Sequence, residues 1–180
     1  MSNAMWSAAR FDGEPAPSDL QLLLQHKDEL AEHDITVDDD PAWAPWNDTS
    51  YLSEKDRQDP DIMANVAAIG VVMAHIVFVA ELPDSTYLGY WRGRSKRAIA
   101  ASPIVVYDSE GQFSLIPGAS IAEAILATAY DEDNFMELKT LLESMGIAIA
   151  ASSIDDLAMP DVDDDPGALH RELYSRASQA

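Results

Sequence analysis

Between residues 62 and 116 the chain changes from a helical to a strand-like spacing of apolar positions. Residues 62–80 are nineteen positions in which only Asn65 and His75 are polar. In the first half, Ile62, Val66, Ile69 and Met73 fall on one face of a 3.6-residue helix. From Ile76 the chain is β-branched and aromatic, as strands are. The pattern therefore predicts a buried helix over 61–74 running into a central, buried strand over 75–82. Strict alternation in that strand puts Ile76, Phe78, Ala80 and Leu82 on one face and Val77 and Val79 on the other.

Three more short apolar segments follow at close spacing. Residues 86–92 place Tyr87, Gly89 and Trp91 opposite Leu88, Tyr90 and Arg92. In the next segment Ile104 and Val106 oppose Val105 and Tyr107. Asp108-Ser109-Glu110-Gly111 has the composition of a hairpin turn, with Gly111 at a position suited to φ > 0. Beyond it, Phe113 and Leu115 face the core. The expected fold class is α+β: an antiparallel meander of about four to five strands packed with several α-helices.

The flanks read as helices. Ser18-Asp19-Leu20-Gln21 has the letters of a capping box and predicts a helix to about residue 33, with Leu20, Leu23, Leu24, Leu30 and Ala31 inward. Trp43 and Trp46 lie in a loop and are expected to pack down on the core rather than serve as exposed platforms. Residues 53–60 read as a charged connection or one short helical turn. Ser120 and Glu123 form a second capping box; a further helix spans about 134–145, with Gly146 closing it. Residues 147–151 read as a short strand or extended edge, and 155–165 as an acidic, solvated linker. Asp165-Pro166 starts a last helix, Asp as N-cap and Pro at the first position. The domain organisation expected is 1–16 as expression scar and irregular N-terminus, 17–151 as a single α+β domain, and 152–180 as acidic linker and C-terminal helix packing on it.

Composition narrows the function classes. The absence of cysteine among 180 residues excludes a disulfide framework, a thiolate zinc site and a thiol nucleophile. With 32 acidic and 11 basic residues the formal net charge is −21. Such a chain repels nucleic acid and anionic membranes and attracts basic partners, although charge of this sign also serves solubility. The apolar stretch 62–80 approaches spanning length, but Asp61 and Glu81 flank it without an adjacent Lys or Arg. A cytoplasmic protein without a membrane span and without a cofactor is expected.

Candidate chemistry is sparse. Residues 161–172 have the acidic spacing of a calcium loop, yet Pro166 stands where the loop's sharp turn needs Gly, and a helix cap explains the same residues. The histidines, His26, His33, His75 and His170, form no metal-binding pair by spacing. Glycine-rich phosphate loops and a serine nucleophile elbow are also missing from the sequence. Neither a catalytic residue nor a metal ligand is assigned. Arg92, Arg94, Lys96 and Arg97 cluster in an acidic chain; they either bind an anion or pair within the molecule, and the second is the simpler expectation.

Residues 78–126 resemble the SUKH superfamily, which includes the yeast cell-wall-assembly regulator and many bacterial toxin-immunity proteins. The resemblance lies in the strand FVAELPDSTYLGYW, the loop RGRSKRAIAASPIVVYD, the hairpin SEGQFSLIPG and the helix SIAEAILA that follows. It implies a non-enzymatic protein-binding module of a kind that neutralises a cognate toxin. Taken with the net charge, it points to an immunity protein for a basic, nuclease-type toxin; a monomer or homodimer is expected. Asp84, Tyr87, Trp91 and Arg92, near the meander, are the expected exposed contact residues. Two other readings stay open. A small hydrolase using cleft carboxylates would show a deep pocket with convergent acids and a perturbed group. A structural homodimer would leave a large apolar patch on the monomer.

Overall fold

A computed structural model describes residues 10–38, 40 and 42–178. In chain order its main elements are α1 (Ser18–Gln25), α2 (Lys27–Ala31), β1 (Thr36–Val37), α3 (Glu54–Gln58), α4 (Pro60–Met73), β2 (Ile76–Leu82), β3 (Thr86–Trp91), β4 (Ile104–Tyr107), β5 (Phe113–Leu115), α5 (Ile121–Leu126), α6 (Glu132–Ser144) and α7 (Pro166–Ala177). The strands form one five-stranded antiparallel sheet in the order β1-β2-β3-β4-β5, so the fold is α+β with the expected meander at its centre. No helix among the described residues is long and apolar enough to cross a membrane.

Helices cover both faces of the sheet. On one face Val79, Ala80, Leu82, Leu88, Tyr90 and Ile104 pack with α1, α2, α5 and α6. On the other, Ile76, Phe78, Tyr87, Trp91, Val105 and Phe113 pack with α4 and α7. The alternation expected in β3, β4 and β5 is observed. In β2 it breaks: the register shifts between Phe78 and Ala80, a β-bulge at Val79. Ile76 and Phe78 share a face as predicted, but Ala80 and Leu82 lie on the opposite one. The extra residue reverses the pleat for the rest of the strand.

Gly89 lies opposite Phe78, beside the bulge. A Cβ there would stand 2.6 Å from Ile76 Cγ2 and 2.9 Å from the Phe78 Cα. Only glycine lets the two strands approach this closely.

Three local expectations need correction. Pro17, not Ser18, occupies the N-cap of α1, and the Gln21 amide donates to the Ala16 carbonyl at 2.6 Å. The first helix also breaks at His26 instead of running through to residue 33. The helix α4 is only half covered, with Met63 37% and Val71 47% exposed. Ser120 does cap α5, accepting from the Glu123 N–H at 3.2 Å, while Glu123 reaches the Ala119 N–H at 2.7 Å. Residues 147–151 are extended without joining the sheet and bury Ile147, Ile149 and Ala151 in alternation.

Candidate functional site

Three neighbouring strands each carry one aromatic residue at the same level. Tyr87 of β3 pairs with Tyr107 of β4, which pairs with Phe113 of β5. Paired residues point to the same face, so the rings meet. Tyr87 and Tyr107 stack at 6.3 Å between centroids and Tyr107 and Phe113 at 4.8 Å. His170 of α7 meets Phe113 edge-on at 5.7 Å. From the loop before α3, Trp46 lies on Phe78 at 4.7 Å and Trp43 meets Trp46 edge-on at 5.1 Å. Both indoles therefore pack down, as the sequence predicts. The Arg10 guanidinium stands 5.5 Å from the Trp43 centroid and 5.8 Å from that of Trp46. It also donates to the carbonyls of Phe78, Asp40 and Trp43.

A cleft of about 510 Å³ opens between Tyr87 and Tyr107 of this row and α4. Ile62, Val66 and Ile69 give it an apolar wall. Trp46, Asp48 and Tyr51 line it from the segment before α3, and Asp108, Ser109, Glu110 and Gly111 line it from the β4–β5 hairpin. None of the described residues lining it is Lys or Arg.

The acids lining the cleft differ. Asp48 accepts from the Ser50 N–H at 2.8 Å through Oδ1 and from the Ser50 hydroxyl at 3.0 Å through Oδ2. These bonds favour its charged form and hold its carboxyl below the usual range. A general acid would need the opposite shift. Asp108 uses Oδ1 to accept from the N–H groups of Glu110 and Gln112, at 3.0 and 2.9 Å. Its Oδ2 has no hydrogen-bond partner among the described residues. Glu110 accepts from the Gln112 amide at 3.0 Å.

Burial first, and charged neighbours after it, shift Tyr107 and Tyr87. Burial, followed by Tyr51, Asp108 and Tyr87, pushes the Tyr107 phenol up to about 12. Burial, followed by the Glu81 carboxylate, also raises Tyr87. Both therefore keep their protons at neutral pH. Such a cleft suits a cation on an apolar stem: ring faces attract positive charge, and an aliphatic chain lies well on Ile62 and Val66.

The predicted contact residues scatter. Tyr87 lies in the cleft wall, 7% exposed. Asp84 is exposed at the β2–β3 turn with φ 62°, beside separate hollows. Trp91 is fully buried, so it presents no surface to a partner; its indole N–H donates to the Asp164 carbonyl at 2.9 Å. Arg92 is mostly buried and acts as an internal clamp, bonding Asp12 at 2.8 Å and Glu14 at 2.6 Å. Arg97 pairs with Asp164 at 2.7 Å and Arg94 with Glu172 at 3.1 Å. Three of the four cluster residues, Arg92, Arg94 and Arg97, thus pair within the molecule, Lys96 being exposed, and the acidic segment expected as a solvated linker is anchored at Asp164.

Asp165 caps α7, accepting from the Ala168 N–H at 2.6 Å, which supports the cap reading of residues 161–172. Among the described residues no three His, Asp or Glu side chains gather as a metal site. Sequence reasoning missed Tyr107, Asp108 and Glu110 as a site. The available signal was one aromatic on each side of the Asp108–Gln112 turn, in register with the aromatic of the preceding strand.

Compared with protein-family models, curated proteins and solved structures, the chain matches none.

Proposed function

We propose that this chain is a non-enzymatic protein-binding module that engages a basic protein, as an immunity protein engages a nuclease toxin. The observation that carries the reading is the surplus of negative charge. Acidic residues number 32 against 11 basic ones. Six of the basic residues, Arg92, Arg94, Arg97, Lys139, Arg171 and Arg176, are paired with carboxylates of the chain itself. The remaining carboxylates dominate the field outside the molecule. A field of one sign steers a basic partner and raises its association rate by about 10–10³-fold at low salt. A nuclease cleft that holds phosphate is basic for the same reason and is a fitting counterpart. The SUKH resemblance of residues 78–126 agrees with this role.

Immobilised protein exposed to lysate of its own source, then washed with rising salt, tests the reading. A basic protein should elute late, and its cleavage of nucleic acid should stop when one equivalent of this chain is returned. A bound set that resists salt and contains no basic protein would contradict it.

A further inference from the structure

We propose that the cleft between α4 and the Tyr87–Tyr107 pair receives one arginine side chain of a basic protein partner. The partner rests on the function proposed above; the arginine receptor rests on the cleft itself.

Its volume, about 510 Å³, is that of a small-molecule site. Three features agree on the occupant. Trp46, Tyr51, Tyr87 and Tyr107 line the cleft with aromatic rings, Tyr51 being 69% exposed, and such rings bind planar, weakly hydrated guanidinium better than compact ammonium. Ile62, Val66 and Ile69 offer a surface for the three-carbon stem. Asp48, Asp108 and Glu110 supply negative charge with no cation of the chain lining the cleft among the described residues. The guanidinium belongs beside the hairpin. Both Asp48 oxygens are occupied by Ser50, whereas Asp108 keeps Oδ2 for a new donor. Arg10 shows the same chemistry inside this chain, its guanidinium held beside Trp43 and Trp46 while bonding three carbonyl oxygens.

A competing account makes the acids parts of turns and nothing more. The two separate in an NMR titration of the full chain, at constant ionic strength, with N-acetylarginine N-methylamide and its citrulline counterpart. Citrulline keeps the shape and loses the charge. The cleft predicts saturable shifts at the Trp46 indole N–H and at the amides of residues 109–111. Citrulline should bind about tenfold more weakly. The double variant Asp108→Asn, Glu110→Gln keeps acceptors for the hairpin. It should lose about tenfold in arginine affinity at unchanged Tm, while Asp161→Asn, Asp163→Asn loses nothing. Shifts spread over carboxylates remote from the cleft, equal binding of citrulline, or equal losses in both double variants would overturn the proposal. Because the probe is a single amino-acid amide, any of these results leaves salt-dependent capture of a basic protein standing.

Discussion

The Tyr90 hydroxyl is buried on the α1/α5 side of the sheet with no hydrogen-bond partner among the described residues, and burial raises its pKa well above the usual value. A buried hydroxyl without a partner costs about 1–3 kcal/mol. Tyr90→Phe is therefore expected to leave stability unchanged or raise it by about 1 kcal/mol, read from the urea midpoint. A loss of that size would mean that the hydroxyl has a partner in solution. The opposite effect is expected at Gly89, where an added methyl meets the Phe78 backbone 2.9 Å away. Gly89→Ala should cost about 1–3 kcal/mol, as overpacking does. Tyr107 carries a pH signature. Its phenol titrates near 12 in the folded chain and near 10 when unfolded. Between those values the unfolded state has lost the proton that the folded state keeps, so stability falls as pH rises through the window. Tyr107→Phe should flatten that fall in alkaline denaturation curves.

At the scale of elements, the α4–α7 contact contains a second titrating group. His170 of α7 and Asn65 of α4 lie 3.0 Å apart. Burial, followed by Arg171, lowers the His170 pKa. Below about pH 6.5 the unfolded chain takes up a proton that the folded one resists, so stability falls with pH until the lower folded pKa is reached. His170→Gln should remove this part of the acid dependence, measured as Tm between pH 7 and 5. The elements themselves were largely legible. The long apolar stretch split into helix and strand at the predicted place, and β3, β4 and β5 kept strict alternation. The bulge was not legible, for a physical reason. Helices cover both faces of β2, so both faces are apolar, and the pattern no longer records which face a residue takes. The start of α1 failed differently: Ser18 and Gln21 have the letters of a capping box, but Pro17 fixes the N-cap. Asp19 instead reaches the Ala122 N–H at 3.3 Å, tying α1 to α5. Of the residues lining the cleft, only Tyr87 was expected as a contact residue, while Trp46 was expected to pack on the core. Their union with Tyr107 and Asp108 depends on the register of three strands, which no single segment specifies.

At the scale of the molecule, charge has two roles. Inside, Arg92 joins the β3 end to the N-terminal segment through Asp12 and Glu14, and Arg97 holds the acidic segment at Asp164. Arg92→Ala should cost about 2–3 kcal/mol, because charged hydrogen bonds are lost from a largely buried side chain. Outside, the surplus carboxylates set the field around the molecule. Trp91 shows how easily the two roles are confused from sequence: an aromatic next to a basic loop resembles a contact residue, but here it is core, pinned to the Asp164 carbonyl. The most direct test of the account is the association rate between this chain and the basic protein proposed as its partner, followed by stopped flow as salt is raised from low to high ionic strength. Electrostatic steering predicts a fall of about tenfold or more. A rate that stays flat would contradict it.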